Sequence, residues 1–423
     1  MGGPEPANEE GVMAGADRFI FYSHDGLGLG HLRRNLAIAA ALTEAAPDAS
    51  VLIATGCNEL GAHGLAQNVD VLVLPGLRKL GQGRYGGRRL PMPGRELVAL
   101  RAAQLETAVR SFNPDVMLVD KHPLGVRGEL KPALEALSEM GGRAVLGLRD
   151  ILDERAAVAE EWETGRVLDA IDEHFNEILV YGDQRVLDVA DEYSLPKPLA
   201  ERLRYCGYVV HPRSAQSAAV DLLPTFATRL RRIPTVLATT GGGEDGRALL
   251  ECFIQAAQEA RWTGVAVSGP QLDPSEHHAL RRMAVEAGVE FHGTVPDVSS
   301  WLSHVEAVVC MGGYNTLSEA IARGTPTLCI PRVHPRQEQL LRARSFARLG
   351  LVRVVEPDVL SPALMRRELE ALIGTSRREL AERGEARLGF RGARTAATHL
   401  VELAGRAEAG WERGRAPVVG LRG

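Results

Sequence analysis

From Phe19 onward the chain switches repeatedly between short β-branched runs and longer Ala- and Leu-rich stretches, and no other feature limits its fold as tightly. Residues 19–23, 51–54, 69–74, 116–119, 144–148 and 178–181 read as strands, with helical spacing over 32–45, 96–110 and 130–140 between them. Continuous apolar strands joined by helices belong to a parallel sheet covered on both faces. A Pro- and Ser-containing stretch of weaker periodicity, about 210–234, interrupts the pattern. Alternation then resumes with strands at 235–239, 264–267, 290–292, 305–310, 327–330 and 351–355, each followed by a helical segment, and 391–404 reads as a final helix. At roughly 100 to 200 residues per domain, 423 residues predict two domains.

The expectation is therefore an α/β chain with two doubly wound, Rossmann-like domains facing a cleft. Residues 1–16 form a disordered N-terminus, 17–210 the first domain, 211–234 a linker, 235–404 the second domain and 405–423 a flexible tail. Ligands of such sheets bind beyond the carboxyl ends of the strands. In both halves glycine-rich turns sit at those ends, so the active site is expected between the domains.

One such turn is Met311-Gly312-Gly313-Tyr314-Asn315-Thr316-Leu317-Ser318-Glu319, followed by an apolar strand and then by His334, Glu338 and Gln339. A strand here feeds two glycines and a helix start, whose unpaired N–H groups attract an anion. Glu319 falls about one turn into that helix, where a carboxylate can accept two hydrogen bonds from a ribose diol. An ordinary strand-turn-helix, with Glu319 favouring the helix dipole, is the plainer reading of this segment alone.

The first strand runs into His24-Asp25-Gly26-Leu27-Gly28-Leu29-Gly30-His31. Alternating glycines, Gly28 and Gly30 among them, let the backbone approach a ligand, though the spacing departs from the dinucleotide G-x-G-x-x-G. An imidazole at a helix start is held neutral by the helix dipole and can act as a general base. His31 ranks first for that role, with His24 and Asp25 as an orienting or capping pair. A histidine that caps or packs is the plainer alternative.

Between 78 and 101 lie seven basic residues against the single acid Glu96, and five glycines loosen the segment. Lys79, Arg84 and Arg88 are its candidates for contacting a phosphorylated or lipid-diphosphate acceptor, or an anionic membrane surface. Charges balanced by acids elsewhere would be the plainer reading. The cluster Asp120-Lys121-His122-Pro123, after another strand, is a further acceptor candidate, with His122 first among its residues. His277-His278 reads as a solvated pair on a helix.

Composition excludes more than it assigns. A net charge of −5 gives no general attraction to nucleic acid, so any polyanion site is a local patch. The five cysteines lack a paired spacing, and Cys310 and Cys329 sit in apolar strand runs, which fits a reducing cytoplasm. No run of about 18 apolar residues and no leader-like segment occurs, so at most peripheral membrane contact is expected. No D-x-D follows a strand in a suitable place, and neither a metal nor a cofactor is expected.

With both glycine turns and the Glu319 segment in view, the chain resembles two-domain GT-B glycosyltransferases of the MurG type, over about residues 19–400. It is closer still to a bacterial branch described only as predicted glycosyltransferases. The resemblance is strongest from Gly312 through Ala320, Pro326, Pro331, His334 and Gln339, which is similar to the donor-binding segment. The Thr240-Gly241-Gly242-Gly243 turn is similar to a second phosphate-facing loop. The resemblance implies that Glu319 binds the ribose hydroxyls, Gly242, Gly243, Gly313 and Thr316 the diphosphate, Glu338 and Gln339 the donor sugar, and backbone at Val295 the base.

It further implies an inverting transfer from a UDP-sugar to an unidentified acceptor hydroxyl, with His31 as base and no metal. Arg33-Arg34 departs from the usual, less charged helix start. The Gly-His-x-x-Arg pattern also resembles nucleotide-sugar hydrolases of the same fold, so hydrolysis stays open beside transfer. A non-catalytic nucleotide-binding partner of another enzyme is the third reading.

Overall fold

A computed structural model describes residues 17–23, 30–57, 64–80, 85–211, 233–243, 245–295 and 297–408. His24, Asp25, Gly28 and Arg84, most of the expected linker and terminal segments 1–16 and 409–423 lie outside these residues.

The first half builds a seven-stranded parallel sheet from β1 (Arg18–Ser23), β2 (Ser50–Thr55), β3 (Val69–Val73), β6 (Val116–Asp120), β7 (Arg143–Arg149), β8 (Glu177–Tyr181) and β9 (Leu203–Tyr205). Its order is β3-β2-β1-β6-β7-β8-β9. β4 (Leu77–Lys79) and β5 (Tyr85–Gly87) form a separate antiparallel hairpin. The second half pairs β10 (Thr235–Thr239), β11 (Thr263–Val267), β12 (Glu290–His292), β13 (Ala307–Cys310), β14 (Thr327–Cys329) and β15 (Arg353–Val354) in the order β12-β11-β10-β13-β14-β15. Both are α/β parallel-sheet domains of the doubly wound kind that the alternation predicts.

Every residue of β6 and β10 is buried, as helices on both faces require, whereas in the edge strand β3 only Val69 is buried and Asp70 and Val73 are exposed. In each sheet the strand order reverses once, between β1 and β6 and between β10 and β13. The gap beyond the strand ends at such a reversal is where a doubly wound sheet holds its ligand.

The two halves share one core. Tyr208 stacks on Tyr314 at 5.7 Å between ring centroids and meets Phe346 edge-on at 5.5 Å. Beneath these rings Arg342, on the helix Glu338–Arg348, donates to Asp150 at 2.8 Å, and both are fully buried. The last helix, Gly392–Glu408, crosses back to pack on the helix Gly30–Ala45 and on β6 and β7. A second domain drawn through residue 404 therefore takes in a helix that covers the first sheet, because its apolar face fits the groove left over β6 and β7. All five cysteines are free and buried, and no described helix is long and apolar enough to cross a membrane.

Candidate active site

A cavity of about 300 Å³ lies between the two reversal points. From the first half it is lined by Gly30, His31, Arg33, Arg34 and Arg149, and from the second by residues that include Gly241, Gly242, Val295, Gly313, Thr316 and Glu319. Gly30 from the first sheet and the glycine turns of the second thus face one cavity.

On the second sheet the helix Tyr314–Ala322 opens directly after Gly313, so its first N–H groups point at the cavity. The turn after β10 closes against β11: Gly243 has φ +95, and a Cβ there would meet the Ser268 carbonyl oxygen at 2.3 Å. Gly243 and Gly312 (φ +89) stand behind the lining and shape the turns. Val295, Val298 and Leu302 give the far end an apolar wall suited to a planar base. Glu319 is buried, and Arg33 Nη2 donates to it at 3.2 Å while also reaching Asp297 at 3.2 Å.

On the first sheet His31 opens the helix Gly30–Ala45. Its Nδ1 lies 3.3 Å from Asp120 Oδ2 and 3.0 Å from Arg34 Nη2. Asp120 ends β6 and is fully buried, and Arg34 donates to it at 2.6 and 2.8 Å. Burial alone would raise the Asp120 carboxyl, but Arg34 and His31 outweigh it and hold the group well below the usual carboxylate range. Arg34 in turn lies over the rings of Tyr181 and Tyr314, 5.1 and 5.5 Å from their centroids. Asn315 Nδ2 donates across the cleft to the Gly30 carbonyl at 3.1 Å.

Other expected residues stand apart from this cavity. His334 is exposed and does not line it. Glu338 is buried and accepts from Arg332 at 2.6 Å, and Gln339 Oε1 accepts from the Arg332 backbone at 3.4 Å. Neither lines the cavity. Arg88 and His122 do not line it either, and the side chain of Lys79 lies outside the described part of the chain. Arg101, counted among the loop cations, is on the helix Gly94–Phe112, where it is buried against Glu129 at 2.5 Å and serves the packing. His277 packs edge-on against Phe291 at 5.3 Å, while His278 is exposed.

Arg149 and the cleft-spanning reach of Arg33 escape a reading of motifs, which names Asp120 only within the Asp120–Pro123 cluster and Asn315 only within the Gly312 segment. Asp120 and Arg149 do carry one signal, a charged residue at the carboxyl end of an apolar strand. Among the described residues no group of three or more His, Cys, Asp or Glu could hold a metal ion.

Residues 239–398 match the glycosyltransferase family 28 C-terminal domain. The UDP-N-acetylglucosamine--N-acetylmuramyl-(pentapeptide) pyrophosphoryl-undecaprenol N-acetylglucosamine transferase of Saccharopolyspora erythraea is 27% identical over 302 residues, covering 68% of this chain and 76% of that protein. Three further relatives of the same name match over 44%, 40% and 47% of their own lengths. An uncharacterized glycosyltransferase of Methanosarcina mazei is 23% identical over 74% of this chain and 79% of its own. Among solved structures, Acinetobacter baumannii MurG superposes with a TM-score of 0.52 at 14% identity, covering 92% of this chain and 99% of that one.

Two parallel-sheet domains with facing reversal points and this family 28 segment define a GT-B glycosyltransferase, an enzyme that takes its sugar from a nucleotide-sugar donor. Within that class the chain is MurG-like.

Proposed function

We propose that the enzyme is an inverting glycosyltransferase that moves a sugar from a UDP-sugar to an acceptor hydroxyl, with His31 as general base. The observation that carries this reading is that His31, backed by Asp120, lines the same cavity as Glu319 and the Gly313–Thr316 turn. A base on one sheet then faces a donor grip on the other.

The proton inventory supports the role. Arg34 Nη2 already serves both oxygens of Asp120, so Nδ1–H of His31 finds its best acceptor in that carboxylate. Nε2 then carries the lone pair and can take the acceptor proton as the hydroxyl oxygen attacks the anomeric carbon. The diphosphate leaves toward the helix N-terminus at Gly313, which stabilises the developing charge without a proton. Glu319 holds the ribose diol and the apolar wall at Val295 the base. Gly242 and Thr316 line the diphosphate position.

The name of the Saccharopolyspora relative makes UDP-N-acetylglucosamine the first donor to try, and a lipid-linked diphosphate the first acceptor class. Wild type should be stabilised by UDP more than by GDP or dTDP, and Glu319→Ala should lose that preference. Turnover of UDP-N-acetylglucosamine followed by NMR should give the inverted anomer, and His31→Ala should abolish turnover with UDP binding intact. Retention at the anomeric carbon, or full activity in His31→Ala, would refute the mechanism.

A further inference from the structure

Two cations on the His31 side of the cleft make no ion pair among the described residues. Arg149 ends β7 and lines the cavity, and its Nε is buried without a hydrogen-bond partner. Lys121 follows the neighbouring strand β6, and its backbone N–H donates to the Gly147 carbonyl at 2.8 Å, which sets it beside the end of β7. Its φ of +75 is a left-handed conformation in a residue with a Cβ, a strain of the kind that accompanies functional sites. Among the described residues neither side chain makes a hydrogen bond or an ion pair.

The nearby acids are largely engaged elsewhere. Asp120 is taken by Arg34 and Asp150 by Arg342. Glu161 pairs with Arg336, and Glu338 gives one oxygen to Arg332 and keeps Oε2 buried without a hydrogen-bond partner, near enough to attract both cations but bonded to neither. Burial lowers the Lys121 ammonium to about 7, with Arg149 and Arg336 adding to the effect. Burial likewise lowers Arg149 to about 10, assisted by Arg34 and Arg342. Two desolvated cations beside each other are costly unless a ligand brings the missing negative charge.

We propose that Lys121 and Arg149 bind an oxyanion of the acceptor, a phosphate, diphosphate or carboxylate, and so hold its hydroxyl at His31. This rests on the reading of the cleft as a transfer site. The donor grip lies on the opposite wall, on the second sheet, whereas His31 and Arg149 line the cavity from the first; Lys121 does not line it but follows β6, between β1 and β7, and stands beside Arg149. A planar guanidinium and an ammonium together suit a tetrahedral or planar oxyanion.

The test is calorimetric titration of inorganic phosphate into wild type, Lys121→Met and Arg149→Met, with and without saturating UDP. Wild type should bind phosphate with UDP already in place. Each variant should weaken phosphate by about tenfold or more, as lost charged hydrogen bonds do, while UDP affinity stays within about twofold on the same scale. Three results would overturn the proposal. The first is no phosphate binding by wild type in either condition. The second is binding untouched by both substitutions, an adventitious ion only. The third is a larger loss of UDP than of phosphate affinity, which would give these cations to the donor diphosphate. If wild type does not bind UDP at all, the donor reading fails separately, and the titration without UDP still decides the anion site.

Discussion

Arg33 Nη2 lies 3.2 Å from Glu319 Oε1, so a cation of the first sheet holds the carboxylate of the second that is suited to a ribose diol. The same nitrogen reaches Asp297 at 3.2 Å, and the pair bridges the cleft. A ribose that takes Glu319 must displace this contact. Partly exposed ion pairs are worth up to about 1 kcal/mol. Arg33→Met should therefore tighten UDP binding by about two- to fivefold in a calorimetric titration. A loss of affinity would instead mean that Arg33 swings onto the diphosphate.

Asp120 and His31 should separate in kinetics and stability. His31→Ala removes the proposed base and should lower kcat by about two to four orders of magnitude with unchanged stability. Asp120→Ala leaves Arg34 buried without its partner, so it should also cost about 3 to 5 kcal/mol in urea unfolding. The Asp120 carboxyl is held below its ordinary range in the folded chain, so its stabilisation is fully present at neutral pH. It is lost as pH falls below the ordinary carboxylate range. Unfolding curves at pH 7 and pH 3 should show the difference between wild type and Asp120→Ala shrinking on acidification.

The glycine turns and Glu319 were legible in the sequence because they act through local geometry: two glycines after an apolar strand, then a helix start. The strands were legible for the same reason. Asp120 and Lys121 were legible only as part of a charged cluster at a strand end, and Arg149 not at all, since what makes them neighbours of His31 is strand order, which places β6 and β7 beside β1. Arg101 shows the converse. A basic residue in a loose, glycine-rich stretch reads as a ligand contact, yet Glu129 from a distant segment draws it into the interior. The return of the helix Gly392–Glu408 to the first sheet leaves no local signal either, because an amphipathic helix does not state which sheet it covers.

Arg342 and Asp150 are the buried charges that fasten the two halves. Arg342 also donates to the Gly312 carbonyl at 3.2 Å and to the Ile151 carbonyl at 3.2 Å, so one guanidinium ties the Gly312–Gly313 turn to the end of β7. Removing one partner leaves the other charged and dry, at about 3 to 5 kcal/mol. Asp150→Ala should lower the urea midpoint accordingly. The transition should broaden or divide if this pair is what makes the halves unfold together.

Lys121 gives stability a dependence on pH of the same sign as that of Asp120, in a higher window: both folded-state proton affinities are depressed, so stability rises with pH. The ammonium titrates near 10.5 when unfolded and at about 7 when folded, because burial, Arg149 and Arg336 outweigh Glu161 and Glu338. Below pH 7 both states carry the proton and the folded chain bears the full cost of the buried charge. As pH rises from 7 towards 10.5 the folded chain sheds its proton first, and that cost disappears. Each tenfold loss of proton affinity on folding is worth about 1.4 kcal/mol, so Lys121→Met should be more stable than wild type by on the order of a few kcal/mol at pH 6. The gap should close by pH 10, where neutral lysine is tolerated as well as methionine. Urea midpoints of the two proteins between pH 6 and pH 10 measure the gap directly. A gap that is constant with pH would mean that Lys121 keeps its proton throughout. Inorganic phosphate should narrow the gap at pH 6 by supplying wild type with the counter-ion that its fold withholds.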